Sequence, residues 1–364
     1  MPEPIADFYA VIPAGGIGSR LWPLSRADAP KFLHDLSGSG QTLLRDTWDR
    51  LEPLAGAERI SVVTGRAHRA AVEQQLPGIP DKNVFLESEP RDSAAAIGLA
   101  AAILHRREPD VIIGSFAADH VIRVPHLFDW AVRQAVETAR KGYVCTIGIQ
   151  PSEASIGFGY IKKGDGIVID GAPEAALVQS FVEKPDLDTA RAYFDDRSYL
   201  WNAGMFISRA DVLLAEIEAN QSELHAGLME LAEAWDDRER RGPVVDRVWP
   251  SLTKIAIDYA VAEPAAAKGA LAVIPGHFDW DDVGSWISVA SHLETVADSN
   301  QCNTPVTVVD SSNNIVFSEQ NHRIALLGVD DLIVVQTDDA ILIANRHRAD
   351  EIRKVVQELP DELL

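Results

Sequence analysis

"FYAVIPAGGIGSRLWPLSRADAPKFL", residues 8–33, decides how the chain is read. The apolar run Phe8–Ile12 has the composition of a buried strand, and three glycines, Gly15, Gly16 and Gly18, then fall within four residues. A buried strand that opens into a glycine-rich turn commonly presents backbone N–H groups to a phosphate. Arg20 and Lys31 follow close behind. Two familiar phosphate loops are tested at once. The pattern G-x-G-x-x-G fits Gly16 and Gly18 but fails at Leu21, and the Gly-Lys-Ser/Thr triplet of the Walker loop is missing. The loop therefore looks phosphate-directed without being either, although a glycine cluster after a strand is, alone, only a tight turn.

The 364 residues suit one large domain and a smaller one. A hydrophobic content of 46% and a charged content of 24% are those of an ordinary soluble globular protein. The formal charge of −22 argues against a nucleic-acid partner, which needs a basic surface. An acidic protein that handles anions must concentrate its cations locally or recruit a metal, so Arg20 and Lys31 carry extra weight. Cys145 and Cys302 are far apart and lack metal-ligand spacing. The N-terminus has no basic segment leading into a long apolar stretch, and no run approaches about 18 apolar residues. No signal peptide and no membrane partner are expected, and the cytoplasm is the expected compartment.

Short apolar runs alternate with helix-like segments through the first half. Strands are expected at Phe8–Ile12, Ile60–Thr64, Val84–Leu86, Val111–Phe116 and Tyr143–Ile149, with helices at Thr42–Leu51, Arg66–Gln75, Ala94–Arg107 and Leu127–Lys141. Such alternation implies a parallel sheet wrapped by helices on both faces, with ligands at the carboxyl ends of its strands. Further strands are expected at Gly157–Lys163, Val178–Val182 and Gly204–Ser208, then one long helical stretch over Ala210–Trp235. Arg238–Arg241 reads as a solvated turn, Leu271–Ile274 as a strand, and Ser285 to Val296 as a helix. After Asn300 five short β runs follow, separated by turn residues, with a closing helix at Ala349–Leu359. The division expected is 1–299 and 300–364, the second a separate all-β region whose spacing is too loose for an exact repeat.

Asp119 lies just past an apolar strand at the proposed ligand edge, where a carboxylate suits a divalent cation; alone, it is a turn or capping aspartate. Asp281-Asp282 offer a second carboxylate from another loop, with the choice between them open. Glu183-Lys184, stopped by Pro185, suit a sugar and its phosphate, or merely a surface ion pair. Asn202 sits polar inside the apolar "WNAGMF", either turning the chain or seeking partners that a polyhydroxy ligand supplies. His120 reads as a supporting or core histidine, and no nucleophile–base arrangement occurs.

Together the stretches "IPAGGIGSRLWPLSR…PKF", "FAADH", "FVEKP", "WNAGMF", "DYAV.E" and "WDDVGSW" resemble the sugar-phosphate nucleotidyltransferases, closely the mannose-1-phosphate guanylyltransferase group, from about residue 8 to 290. The resemblance implies an α/β fold: a Rossmann-like mixed, mostly parallel sheet flanked by helices, ending in a small all-β, left-handed β-helix-like region. It implies transfer of GMP from GTP to mannose 1-phosphate by in-line attack at the α-phosphorus, with Mg2+ as cofactor. Arg20 and Lys31 would be catalytic; Ala14, Gly15, Gly16, Gly18, Ser19, Arg91 and Ser93 would complete the nucleotide site. Gly159, Glu183, Lys184 and Asn202 would hold the sugar phosphate, and Asp119 and Asp282 the metal. Residues 91–96 read Arg-Asp-Ser-Ala-Ala-Ala where the family commonly has Arg-Asn-Thr-Ala-Pro-Ala, and Asp92 and Ser93 are also good helix N-caps.

Two alternatives stand beside this reading: the same reaction on another sugar 1-phosphate or nucleotide, and a non-catalytic nucleotide-sugar sensor. A sensor is free to lose Arg20, Lys31 or a metal aspartate, and all are present. The apolar runs near the C-terminus need covering, which leads to the expectation of a homodimer.

Overall fold

The structure, a computed structural model, describes residues 3–320 and 322–364. Among them, β1 (Phe8–Ala14), β2 (Ile60–Gly65), β3 (Val84–Glu87), β4 (Ile112–Ser115), β5 (Val121–Ile122), β6 (Val144–Ile149), β7 (Tyr160–Gly166), β8 (Ala176–Val182), β9 (Tyr199–Arg209), β10 (Leu271–Gly276) and β11 (Trp280–Asp281) serve the first part of the chain. Nine of these form one sheet in the order β3-β2-β1-β4-β9-β6-β10-β8-β7. The sheet is mixed: β3, β2, β1 and β4 run parallel, as does the pair β6–β10, whereas β9 is antiparallel to both β4 and β6. The short ribbon β5–β11 stands outside it and pairs Val121 with Asp281.

Alternation along β1 sorts its side chains between two helical layers. Phe8, Ala10, Ile12 and Ala14 face a cluster with Leu44, Trp48 and Leu51 of α1 (Leu43–Ala55) and Phe128, Ala131 and Ala135 of α2 (Pro125–Arg140). Val11 faces the opposite cluster, built from the alanine-rich Asp92–Arg107 helix and from the Ala210–Asn220 and Ser222–Ala234 helices. Both faces being covered explains why the central strands read as continuous apolar runs.

Three expectations are corrected. The stretch 210–235 is two helices broken at Gln221, whose backbone leaves the helical region. Arg238–Arg241 is no turn: it opens the Arg238–Val248 helix, because Asp237 caps it by accepting from the N–H groups of Glu239 (3.0 Å) and Arg240 (3.2 Å). The helix expected from Ser285 to Val296 stops at Ala290, and Glu294–Thr295 becomes a short strand against Gln301–Cys302.

Beyond residue 300 the chain coils. Val306–Val309 pairs in parallel with Ile324–Leu327, and Ile315–Ser318 with Leu332–Gln336. Side-chain hydrogen bonds repeat the same step, Ser312 to Asp330 and Asn313 to Asp331 each spanning 18 residues. The repeat that the sequence was too irregular to reveal is thus a structural one. This region also packs against the first part of the chain. Leu21, Trp22 and Leu24 of the glycine loop share an apolar cluster with Phe317, Ile333, Val335 and Ile352. Among the described residues, no helix is long and apolar enough to cross a membrane.

Candidate active site

β1 ends at Ala14 and releases the loop at the carboxyl edge of the sheet. Gly15 and Gly16 are exposed, with backbone free to approach a ligand. Gly18 has φ +79°, and a Cβ there would lie 2.8 Å from Lys31 Cβ. Only glycine meets both demands. The loop closes on itself through Lys31 N–H to Ile17 O (3.1 Å) and Ser25 Oγ to Ile17 O. Ser19 and Arg20 form a 3-10 turn at its crest.

Lys31 is 6% exposed and points inward. Its Nζ lies 2.6 Å from Asp119 Oδ2 and donates to Asp282 O at 2.5 Å. The β5–β11 ribbon makes this possible, since it zips the chain after Asp119 to the chain before Asp282. Arg50 steadies the first of these loops by donating to His120 O at 3.3 Å. Burial pushes the Asp119 carboxyl up, but Lys31 and His120 beside it more than offset that and hold it below the usual range.

The adjacent aspartates divide the work. Asp281 accepts from Val283 N–H (2.7 Å), from Ser288 Oγ and from His292 Nε2 (3.1 Å). Burial opposes its ionisation, yet these hydrogen bonds hold its carboxyl down at about 2. Asp282 accepts only a 3.2 Å bond from Gly284 N–H among the described residues. Burial, with the charges of Asp281 and Asp119, raises its pKa above the usual range despite Lys31. Asp281 is therefore spent on the loop, and Asp282 is the carboxylate short of positive charge. No group of three metal-ligating side chains occurs among the described residues. Two carboxylates suit Mg2+, which keeps waters and substrate phosphates as its remaining ligands.

An open cavity lies beside Asp282, walled by Gly159, Glu183, Asn202, Asp258 and Trp280. Gly159 has no room for a side chain, because a Cβ would collide with Glu183 Oε2. Asn202, at the middle of β9, accepts from Thr146 Oγ1 (2.8 Å) and Gly204 N–H (3.2 Å) and donates to Asp258 Oδ1 (2.8 Å). Its amide thus has protein partners of its own. Glu183 pairs with Lys184 Nζ at 2.9 Å, and Lys184, with φ +47°, is largely exposed.

Of the expected residues, the structure brings Lys31, Asp119 and Asp282 together, and joins Gly159, Glu183 and Asn202 around the cavity. Arg20 makes an exposed 3.3 Å pair with Asp350, while its charge still reaches the Asp282 carboxyl. Arg91 donates to Leu252 O (3.2 Å) and Pro250 O, and Ser93 Oγ accepts from Ile257 N–H (2.9 Å). Those contacts fasten one helix to the segment 250–257, while Asp92 Oδ1 accepts from Ser93 N–H (2.7 Å) at its start. His120 accepts from Trp280 Nε1 at 3.2 Å, and burial pushes its pKa down to about 4, so it stays neutral.

Two acids escaped the residue-by-residue reading. Asp258 begins a π-helical turn, a distortion frequent at functional sites. Burial, then the Glu183 charge, pushes it up to about 7. Glu87 ends β3 and is pushed up to about 7 by burial. The only local signal was an acid inside an apolar run, "VFLE".

The sequence as a whole matches the nucleotidyl transferase family over residues 9–299, and a MannoseP isomerase/GMP-like beta-helix domain over residues 305–359. Mannose-1-phosphate guanylyltransferase of Escherichia coli (strain K12) is 36% identical over 358 residues, covering 97% of this chain and 74% of that protein. Xanthan biosynthesis protein XanB of Xanthomonas campestris pv. campestris (strain B100) is 35% identical, covering 98% of this chain and 74% of its own length. A solved structure from Thermus thermophilus, described as a mannose-1-phosphate geranyltransferase, is 29% identical and superposes with a TM-score of 0.83, covering 97% of this chain and 99% of that one. A glycine loop facing two acidic loops across a mixed sheet, with a coiled C-terminal region and matches of this extent, leaves one conclusion: the chain belongs to the nucleotidyl transferase family.

Proposed function

We propose that the chain transfers the guanylyl group of GTP to mannose 1-phosphate, releasing pyrophosphate and giving GDP-mannose. The observation that carries this reading is the buried Lys31, lodged between Asp119 and the Asp282 loop at one end of a cavity whose wall holds Glu183, Asn202 and Asp258. The names of the relatives support the choice of base and sugar.

An oxygen of the sugar phosphate attacks the α-phosphorus in line. One P–O bond forms while the bond bridging α- and β-phosphorus breaks, and the electron pair departs with pyrophosphate. A phosphate monoester is largely dianionic near pH 7, so the attack needs no protein base. The neutral, buried His120 agrees with that. Positioning and charge neutralisation then carry the rate. Lys31 meets the charge at the α-phosphate, and the loop amides from Ala14 to Ser19 cradle the phosphates. Arg20 serves the outer phosphates; its exposed pair with Asp350 contributes little and yields to them. Glu183 and Asn202, backed by Asp258, orient the sugar, and Lys184 its phosphate. Asp119 and Asp282 would hold Mg2+, which supplies further neutralisation of phosphate charge when bound.

Pyrophosphate release, measured with each of four nucleoside triphosphates against mannose, glucose and heptose 1-phosphates in Mg2+, tests the reading. GTP with mannose 1-phosphate should give the highest kcat/KM. A higher value for any other pair overturns the substrate choice.

A further inference from the structure

We propose that a cleft along the free edge of β3 binds a phosphorylated small molecule, as a second anion site that communicates with the glycine loop through His68. β3 is the end strand of the nine-stranded sheet, and its outer edge pairs with no strand among the described residues. Val84 and Leu86 of that strand line a cavity together with Arg66 and Arg69, which follow β2, and with Arg241 of the Arg238–Val248 helix. This cavity shares no residue with the one beside Asp282.

The wall sets three guanidinium groups against one carboxylate, Asp81, in a chain whose acids outnumber Lys and Arg 55 to 33. Arg241 lies over the Trp235 ring, 5.9 Å from its centroid, and makes no ion pair among the described residues. Trp235 also lines the cavity and is 2% exposed, and its indole N–H has no acceptor among the described residues. A buried donor without an acceptor is costly. Arg66 and Arg69 do have partners, Asp246 at 2.6 Å for the first, Glu73 at 2.7 Å and Asp81 at 2.5 Å for the second. Those pairs are solvent-exposed, contribute little and exchange readily for a stronger acceptor. The cleft is thus rich in donors and short of acceptors. A carboxylate brings only two oxygens, whereas a phosphate brings three, at higher charge and in the geometry that guanidinium forks match.

The segment that carries two of these arginines also touches the glycine loop. His68 lies between them, with Nε2 2.8 Å from Ala27 O and its ring edge-on to Phe32 at 5.9 Å. Phe32 follows Lys31 directly, and Ala27 stands on the limb that returns from the glycines to it. A phosphate that draws Arg66 from Asp246 shifts the Arg66–His68 turn, and with it the contacts that seat Lys31. Occupancy of the cleft should therefore change how the loop receives a nucleotide. The site stands on its own residues, and only this effect on turnover rests on the GTP reading above.

Nitrogen–proton NMR of the indole N–H groups in the full-length protein tests the site, with the Trp235 signal assigned by its loss in Trp235→Phe. Inorganic phosphate, pyrophosphate, mannose 1-phosphate and GDP are titrated separately without Mg2+, each against sodium chloride at matched ionic strength. At least one phosphate should move the Trp235 signal to saturation, and the lowest midpoint identifies the source. The double variant Arg69→Gln, Arg241→Gln should melt like the wild type and raise that midpoint by about tenfold or more. A Trp235 signal unmoved by all four, or moved equally by sodium chloride, overturns the site, as does an unchanged midpoint in the double variant. If that variant fails to fold, the wild-type titration decides alone. For the coupling, an excess of the tightest ligand should shift the KM for GTP by about fivefold or more in the wild type and not in the double variant. An equal response in both forms is competition at the active site and removes the coupling, as does no response in either. A chain that turns over no GTP sinks the GTP reading and leaves the titration standing, which distinguishes the two failures.

Discussion

The two ends of the site are built on opposite electrostatic plans. At the end proposed for the phosphates a buried lysine is the centrepiece, with the Asp119 carboxylate at 2.6 Å and the Asp282 backbone carbonyl at 2.5 Å. At the sugar end the acids themselves are central. Glu183 and Asp258 crowd one another closely enough that the Glu183 charge helps to raise Asp258. The phosphate end suits charge that grows during reaction. The sugar end suits neutral hydroxyl groups, which both donate and accept.

The largest effect should come from the phosphate end. Lys31→Ala should cut kcat by about 10²- to 10³-fold, with a smaller change in the KM for GTP, because on the proposed reading the lysine serves charge that develops in the transition state. Steady-state kinetics at saturating Mg2+ checks this, and an unchanged kcat/KM removes Lys31 from the chemistry.

The neighbouring aspartates sharpen the contrast within that end. Asp282→Asn should lower turnover by roughly 10²-fold while leaving the melting temperature nearly intact, since a cation loses one charged ligand. Asp281→Asn should do the reverse, costing about 1–3 kcal/mol of stability through weakened contacts to Ser288, His292 and Val283 N–H, with turnover largely kept. Paired melting curves and rates decide it; the opposite pattern exchanges the two roles.

A third test concerns what carries the loop. Removing the chain after residue 300 should expose Leu21, Trp22, Trp286 and their neighbours, and should strip Arg26 of its bidentate pair with Asp339. Activity should therefore fall along with stability, although Lys31, Asp119 and Asp282 all remain. The exposed Leu327, Ile341 and Ile343 lie on the same C-terminal coil, and we expect them to be covered in a homodimer. Light scattering on both forms should show a full-length dimer and a truncated form of altered association. A full-length monomer, or a fully active truncation, breaks the scheme.

The smallest effect belongs to the sugar end. Asp258 holds its proton up to about pH 7 in the folded protein against 3.8 for an ordinary aspartate. A raised carboxyl pKa favours the folded state below the unfolded value, and this contribution is lost as pH rises from about 4 through about 7. The melting temperature should thus fall more steeply between about pH 5 and pH 8 in the wild type than in Asp258→Asn. Parallel curves would show that Asp258 does not titrate there.

The glycine turn was legible in the sequence because a loop with three glycines after a buried strand is specified locally. The five C-terminal strands were legible for the same reason, as apolar runs punctuated by turn residues. The coil they form was not, since the 18-residue step lies in hydrogen bonds such as Ser312–Asp330 and not in repeated residue types. The helix over 238–248 was missed because charge suggested solvent, while Val245 and Val248 anchor it in the core. Glu87 received no role because only an acid closing the apolar run "VFLE" marked it, and Asp258, although it opens the stretch "DYAV", received none because its burial beside Glu183 is set by the tertiary fold.

By itself, the sequence determined most of the strands and helices, and that the first strand opens into a glycine-rich turn closely followed by two cations in a chain of charge −22. Those are properties of periodicity, backbone freedom and composition, and each acts over a few residues. The tertiary structure alone decided that Lys31 meets Asp119 and the Asp282 loop, that Asp282 and not Asp281 is left without full compensation, and that β3 delivers Glu87 beside Gly15. The physical reason is that burial and charge compensation are set by what the fold brings alongside. The β5–β11 ribbon and the parallel register of β1, β2 and β3 join residues far apart in the chain.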